Sequence, residues 1–141
     1  MSPIKPVPEE GLFSRELGQE ERTAERMLDL AARIGRMIEV LPDTRMARHL
    51  AAQLVRSATF PGAHFEEALA AENRADYIHR IGLSQKELRE TCYWLRLVVR
   101  SELMPEARVI MLIDECRDLL TALTQAIAVA KDRATKGKPL K

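Results

Sequence analysis

Apolar residues recur every three or four positions along most of this chain, which is the spacing of one face of an α-helix. The pattern predicts a first helix over 20–41, a second over 43–60, a third over 73–103, and a fourth from Pro105 to about residue 133. Short turns separate these stretches, and helices joined by short turns pack most simply as antiparallel neighbours. The sequence therefore predicts an all-α protein folded as an up-down-up-down four-helix bundle.

Pro61 and Gly62 interrupt the second apolar stretch. Proline has no N–H and its ring clashes with the preceding turn, so the second helix is expected to stop here. A short helix over 63–71 is expected to continue at an angle, which makes the second helix kinked at Pro61-Gly62. At the start of the second helix, Asp43 or Thr44 is expected to cap the free backbone N–H groups.

The two ends of the chain differ in composition from the helical stretches. Residues 1–19 contain three prolines and two glycines, which predicts an irregular N-terminal leader. The bundle is expected to span residues 20–134. Residues 135–141 are rich in lysine and are expected to form a basic, disordered tail.

Composition supports helices over sheets. Aromatic residues are only 4% of the chain, whereas apolar residues are 46% and charged residues 30%. Sheets favour aromatic and β-branched residues, and a length of 141 residues fits one domain. The net charge of +1 argues neither for nor against a nucleic-acid partner.

Cysteine usage and hydropathy indicate in which cellular compartment the protein is expected. Cys92 and Cys116 are the two cysteines, and both fall on the apolar sides of predicted helices. Buried thiols without a C-x-x-C motif fit a reducing cytoplasm better than a disulfide or zinc scaffold. No apolar run reaches the ~18–20 residues that a membrane span needs. We therefore expect a cytoplasmic protein without a membrane partner.

Candidate catalytic and metal-binding residues are few. Di-iron bundles use inward glutamates together with Glu-x-x-His pairs on two helices. None of His49, His64 and His79 has a glutamate three positions before it, and the nearest approach is Asp76 before His79. No cofactor, metal site or catalytic residue is therefore expected. A metal-dependent or hydrolytic enzyme built on the bundle remains the alternative hypothesis.

One arginine and three glutamates are candidates for ion pairs near the proline. Arg56 lies one turn before Pro61, and a partly buried arginine needs a partner because an unpaired charge in a core is costly. It is expected to satisfy carbonyl groups freed at Pro61 or to bind Glu67 or Glu90. Glu87 is expected to pair with an arginine here or between subunits, as are Glu67 and Glu90.

Two aromatic residues and several cations are candidates for partner contacts. Tyr93 and Trp94 are adjacent, so they point about 100° apart on a helix, and they are expected to anchor the core and a subunit interface. Two alternatives remain open for the cations, which are either a solvated mixed surface or a nucleic-acid contact. These cations are Arg89, Arg96 and Arg100 on one side of the third helix, with Lys136 and Lys138 in the tail.

The centre of the chain resembles a known family. The run Arg89-Glu90-Thr91-Cys92-Tyr93-Trp94-Leu95 resembles the four-helix-bundle proteins found within intervening sequences of bacterial 23S ribosomal RNA genes. Further matching blocks occur in the family's order, namely Gln53-Leu54, Arg56-Ser57, Gly62-Ala63, Glu66-Glu67-Ala68 and Arg74-Ala75-Asp76-Tyr77-Ile78. The resemblance covers roughly residues 20–130.

This resemblance implies more than a fold. It implies self-assembly into a ring, commonly a homopentamer with a central channel. Some relatives are accessory proteins of retroelements, in which a basic ring surface contacts RNA and reverse transcriptase, and no enzymatic activity is established for the family as a class. We therefore expect a non-enzymatic oligomeric scaffold or adaptor that binds structured RNA or a nucleic-acid enzyme.

Overall fold

The computed structural model describes residues 18–135, which form four α-helices with short connections. The helices are α1 (Gln19–Glu39), α2 (Arg45–Leu69), α3 (Arg74–Arg100) and α4 (Glu106–Thr135). Each helix packs against the next one in the chain and α1 packs against α4, whereas the diagonal pairs among these described helices make no close backbone approach. The predicted all-α, up-down-up-down bundle is confirmed. The predicted leader up to residue 17 and the tail from residue 136 lie outside the described residues.

The core lies along the axis of the bundle and is built from the apolar stripes of all four helices. Burying a leucine or isoleucine side chain completely contributes roughly 1.5–3 kcal/mol, so these stripes provide the main driving force for folding. The largest fully buried side chains include Met27, Leu30, Ile34, Leu50, Leu54, Phe65, Ile81, Leu88, Leu95, Leu119 and Leu123.

An ion pair on the surface joins α1 to α4. Arg26 donates from Nε and Nη2 to the two carboxylate oxygens of Glu115, at 3.1 and 2.8 Å. This hydrogen bonding raises the pKa of Arg26 above its ordinary value. The two-point contact shows which side of α1 faces α4.

Side chains cap the N-termini of α2 and α3. Thr44 Oγ1 accepts a hydrogen bond from the N–H of Ala47 at 3.2 Å, so one of the two predicted caps is confirmed. Asn73 Oδ1 accepts from the N–H of Asp76 at 2.8 Å. Each bond satisfies one of the N–H groups that the first turn of a helix leaves free.

α3 ends in a left-handed turn. The N–H of Leu103 donates to the carbonyl of Val98 at 3.1 Å, and that of Glu102 donates to Val99 at 3.0 Å. These two bonds define a Schellman motif, which usually has glycine at the left-handed position. Here that position is Glu102, with φ of 59°.

The second helix differs from the sequence prediction. It continues through Pro61 to Leu69, so the predicted end at Phe60 and the separate helix over 63–71 are wrong. A proline inside a helix normally costs about 3 kcal/mol, because one backbone hydrogen bond is lost and the ring clashes with the carbonyl four residues earlier. The neighbouring helix must therefore compensate.

Hydroxyl groups of α3 compensate for the proline. The carbonyl of Ser57 has no helical donor, because the residue four positions later is Pro61. Thr91 Oγ1 lies 2.7 Å from that carbonyl oxygen, and Ser84 Oγ donates to the carbonyl of Pro61 at 2.7 Å. Ser57, Ser84 and Thr91 are completely buried. Thr91, which α3 places in the interior, thus meets the one carbonyl that Pro61 leaves without a helical donor.

Candidate functional site

The buried side of α3 is rotated relative to the predicted apolar stripe. The spacing of Ile81, Leu88, Cys92, Leu95 and Val99 predicts a buried seam through Cys92 and Val99. The structure instead buries Thr91 and Val98 fully and leaves Cys92 and Val99 half-buried. Thr91 faces the Ser57 carbonyl, and this contact accounts for the rotation. Periodicity of apolar residues alone does not reveal a buried threonine.

The carboxylates Glu87 and Glu90 of α3 lie on the flank that faces α2. Arg56 of α2 donates from Nη1 to Glu87 Oε2 at 3.1 Å and lies 3.9 Å from Glu90 Oε2. The Glu87 side chain is only 9% exposed, whereas that of Arg56 is 50% exposed. The guanidinium of Arg56 also lies 5.4 Å from the ring centre of Phe60, within the range of a cation–π contact.

The other predicted ion-pair residue has a different partner. Glu67 binds Arg80 rather than Arg56, and Arg80 Nε also approaches Asp76 Oδ1 at 3.4 Å. Arg56 was expected to satisfy carbonyl groups freed at Pro61 or to bind Glu67 or Glu90; it lies beside Glu87 and Glu90, and Thr91 meets the freed carbonyl of Ser57. Asp76, Glu87 and Glu90 thus lie on one flank of α3. Asp76 is close to Arg80 of the same helix, and Glu87 and Glu90 are close to Arg56 of α2.

The outer face of α3 carries a continuous cationic row. Its members lie three or four positions apart, are all exposed, and point away from the buried side. None of its cations lies in an ion pair within residues 18–135. The row spans about 21 Å at 1.5 Å per residue. We call these residues the α3 row, and they are Lys86, Arg89, Tyr93, Arg96 and Arg100.

Tyr93 belongs to the α3 row, whereas Trp94 points toward α2. Tyr93 is 56% exposed, and Trp94 is half-buried with its ring edge-on to that of His49, 6.2 Å between centres. The Trp94 Nε1 atom is buried and has no acceptor among the described residues. Tyr93 was predicted to anchor the core or a subunit interface, with base stacking as the weaker alternative, and its spacing of four from Arg89 and three from Arg96 places it among the cations.

The remaining candidates add little to this surface. Lys136 and Lys138 lie outside the described residues. Within residues 18–135, no group of three or more histidine, cysteine, aspartate or glutamate side chains is arranged to hold a metal ion. None of the four described helices combines the length and apolarity needed to cross a bilayer.

The architecture defines a helical-bundle protein whose most distinctive surface is one charged helix face. The chain belongs to the 23S rRNA-intervening sequence protein family, whose sequence model matches residues 19–125, and the family predicted from the central motifs is thereby confirmed. The match includes the whole α3 row.

Comparison with solved structures agrees with this family. A crystal structure described as a protein of unknown function from the S23 ribosomal protein family of Bacteroides thetaiotaomicron is 28% identical to this chain. The similarity covers 74% of this chain and 97% of that chain, with a TM-score of 0.67. Comparison with curated proteins gives no match. Neither the family description nor the description of the solved structure names a reaction.

Proposed function

We propose that this protein is a non-enzymatic, cytoplasmic scaffold that self-assembles and binds structured RNA through the α3 row. The observation that supports the proposal is the separation of charge on α3. Its carboxylates face α2 and approach arginines there or on α3 itself. The α3 row, by contrast, holds four cations without an ion-pair partner in the described part of the chain, and no acid interrupts it.

The chemistry of the α3 row suits a phosphate backbone. Arginine presents a planar set of donors that matches phosphate geometry, and each cation that contacts a phosphate releases bound counterions. Tyr93 stands among the cations with its ring exposed, which suits stacking on an unpaired base. A stem with an adjacent loop offers both features, so structured RNA is the ligand class that we propose.

Self-assembly would multiply this surface. A single row of four cations gives weak binding, but copies arranged around an axis bind one RNA with a high effective concentration. The family resemblance favours a homopentameric ring. Exposed apolar side chains such as Met111 and Phe60, at 66% and 44% exposure, supply candidate contacts between subunits.

Salt-dependent binding of a fluorescent RNA hairpin tests the RNA proposal. The triple variant Arg89→Gln/Arg96→Gln/Arg100→Gln should weaken binding and reduce the slope of log K against log salt by about one for each phosphate that is no longer neutralised. Tyr93→Ala should weaken binding by roughly 1–3 kcal/mol without changing that slope, because stacking carries no charge.

A matched control removes the same charge elsewhere. Arg22, Arg117 and Lys131 are exposed on α1 and α4, outside the α3 row and outside the cleft that Val40 and Met111 line. Their triple glutamine variant has the same net charge as the α3 variant and should retain most of the affinity. Equal losses in the two triple variants would show only a nonspecific charge effect, and the absence of binding at low salt would reject the proposal.

A further inference from the structure

The two cysteines of this chain lie on neighbouring helices that pack against each other. Cys92 is on α3 and is half-buried, Cys116 is on α4 and is wholly buried, and both are free thiols. Cys92 packs against the hydrophobic core to which Cys116 belongs. The sequence contains no other cysteine, so any disulfide within one chain joins these two residues.

A hydrogen bond between α3 and α4 fixes the relative level of the two cysteines. Gln85 Nε2 of α3 donates to Thr124 Oγ1 of α4 at 3.2 Å. The two helices are antiparallel, so Cys92 follows this bond by seven positions on α3 and Cys116 precedes it by eight positions on α4. At about 1.5 Å per residue, the two cysteines differ in level along the bundle by only about 1.5 Å.

The distance between packed helices suits a disulfide at this level. Packed helix axes are about 8–10 Å apart, and each Cα atom lies about 2.3 Å from its own axis. Cα atoms that face each other directly are therefore about 3–5 Å apart, whereas a disulfide joins Cα atoms about 4.4–6.8 Å apart. Cys92 lies at the edge of the buried side of α3, and this offset widens the separation toward that range.

We propose that Cys92 and Cys116 form a reversible disulfide between α3 and α4 when hydrogen peroxide oxidises the protein. Cys92 reacts first because it is partly accessible. Burial raises the pKa of the Cys116 thiol and the nearby Cys92 raises it further, so Cys116 stays protonated and does not react with peroxide itself. Disulfides of this kind in reducing compartments are usually transient and respond to oxidants.

The reaction has two steps and needs no group beyond the two thiols and the peroxide. The Cys92 thiolate attacks one peroxide oxygen, an S–O bond forms as the O–O bond breaks, and the leaving hydroxide takes up a proton to become water. The Cys116 sulfur then displaces the hydroxyl of the sulfenic acid on Cys92, and this hydroxyl leaves as water with the Cys116 proton. The two sulfur atoms lose two electrons in total, which the peroxide gains, and cellular dithiols such as thioredoxin reverse the link.

Mass spectrometry of the full chain after hydrogen peroxide treatment tests the proposal. Both free thiols should disappear over minutes to hours, and proteolysis should release two peptides joined through Cys92 and Cys116, which dithiothreitol separates. Two free thiols after the treatment would overturn the proposal. Sulfinic acid without a link, or a disulfide between two chains on a non-reducing gel, would also overturn it.

Single variants test the order of the two steps. Cys116→Ala should accumulate sulfenic acid on Cys92, which dimedone traps, whereas Cys92→Ala should keep Cys116 reduced under the same treatment. Circular dichroism confirms that both variants are folded. Equally rapid oxidation of Cys116 in Cys92→Ala would overturn the assignment of Cys92 as the thiol that reacts first.

Thermal unfolding tests whether the native packing holds the two thiols in position to bond. The linked protein should have a Tm roughly 5–10 °C above that of the reduced protein, because the link restricts the unfolded chain. The double variant Cys92→Ala/Cys116→Ala, treated with peroxide in the same way, controls for oxidation of methionine. A lower Tm for the linked protein after this correction would overturn the proposal, since the link would then strain the bundle.

Discussion

The contact between Thr91 and the carbonyl of Ser57 is the residue-level feature that distinguishes this bundle from a generic one. A hydroxyl from one helix replaces the backbone N–H that Pro61 removes from another. A buried carbonyl without a partner costs about 1–3 kcal/mol, so this replacement offsets much of the cost of an internal proline. The motif blocks that contain Ser57 and Thr91 thus meet in space although 34 residues separate them.

Thr91→Val tests this replacement, since it removes the hydroxyl and nearly preserves the shape of the side chain. We expect a loss of about 1–3 kcal/mol in the free energy of unfolding, measured by urea denaturation. Thr121→Val is the control, because its exposed hydroxyl bonds only to its own helix, and it should change stability by less than about 0.5 kcal/mol. Pro61→Ala should raise the free energy of unfolding more in the Thr91→Val protein than in the unchanged protein, since alanine restores an N–H donor for the Ser57 carbonyl. Strict additivity of the two changes would contradict the contact.

The buried thiol of Cys116 predicts a dependence of stability on alkaline pH. Burial raises the pKa of this thiol, so the folded chain keeps a proton that the unfolded chain releases above about pH 8.5. The protonated thiol's contribution to the free energy of unfolding is fully present below that pH. It is lost as the pH rises toward the pKa of the thiol in the folded chain, by at most about 1.4 kcal/mol per pH unit. Cys116→Ala should lower stability at pH 7 but reduce the slope between about pH 8.5 and 10. Equal slopes for both proteins would contradict this account.

The helices themselves were largely predictable, because each long apolar stripe has a helical period and is bounded by turn residues. The extent of α2 was not predictable, since Pro61 by itself indicates a break. The Thr91 hydroxyl that makes up for the missing N–H of Pro61 lies on another helix. Only part of the α3 row was predictable from the sequence. Its arginines were found from spacing, and Arg56 was expected near Glu67 or Glu90, but only the packing of α2 on α3 decides that Arg56 approaches Glu90 while Arg80 binds Glu67.

The end of α3 provides a test of local backbone geometry. Glu102 occupies a left-handed position, at φ of 59°, which costs a residue with a Cβ roughly 1–2 kcal/mol. Glu102→Gly should therefore stabilise the protein by roughly 0.5–1 kcal/mol, less than the full cost because glycine also gains entropy in the unfolded chain. Ser101→Gly is the control, because its φ of −84° is ordinary and no gain is expected. Thermal unfolding of the two variants distinguishes the cases.

Across the whole molecule, two of the groups of exposed apolar side chains lie on opposite edges of the bundle. Val40 and Met111 line a cleft between α1 and α4, whereas Met46 and Phe60 lie on α2, and Phe60 contacts the arginine that bridges to α3. Because the helices follow one another around the square, the α4–α1 edge lies opposite the α2–α3 edge. Contact between two different patches generates rings when the rotation closes, whereas contact of a patch with itself stops at a dimer.

Complementation between two variants tests which of these assemblies forms. Phe60→Glu blocks the α2–α3 patch and Met111→Glu blocks the α4–α1 patch, so each variant alone should elute as a monomer in light scattering at micromolar concentration. An equimolar mixture should form a dimer and nothing larger, because one intact patch from each variant can meet. Leu28→Glu is the control, since Leu28 lies away from the Arg26–Glu115 side of α1, and this variant should assemble normally. If Met111→Glu alone still forms dimers, the contact joins identical patches, and the ring is excluded because such an interface cannot propagate.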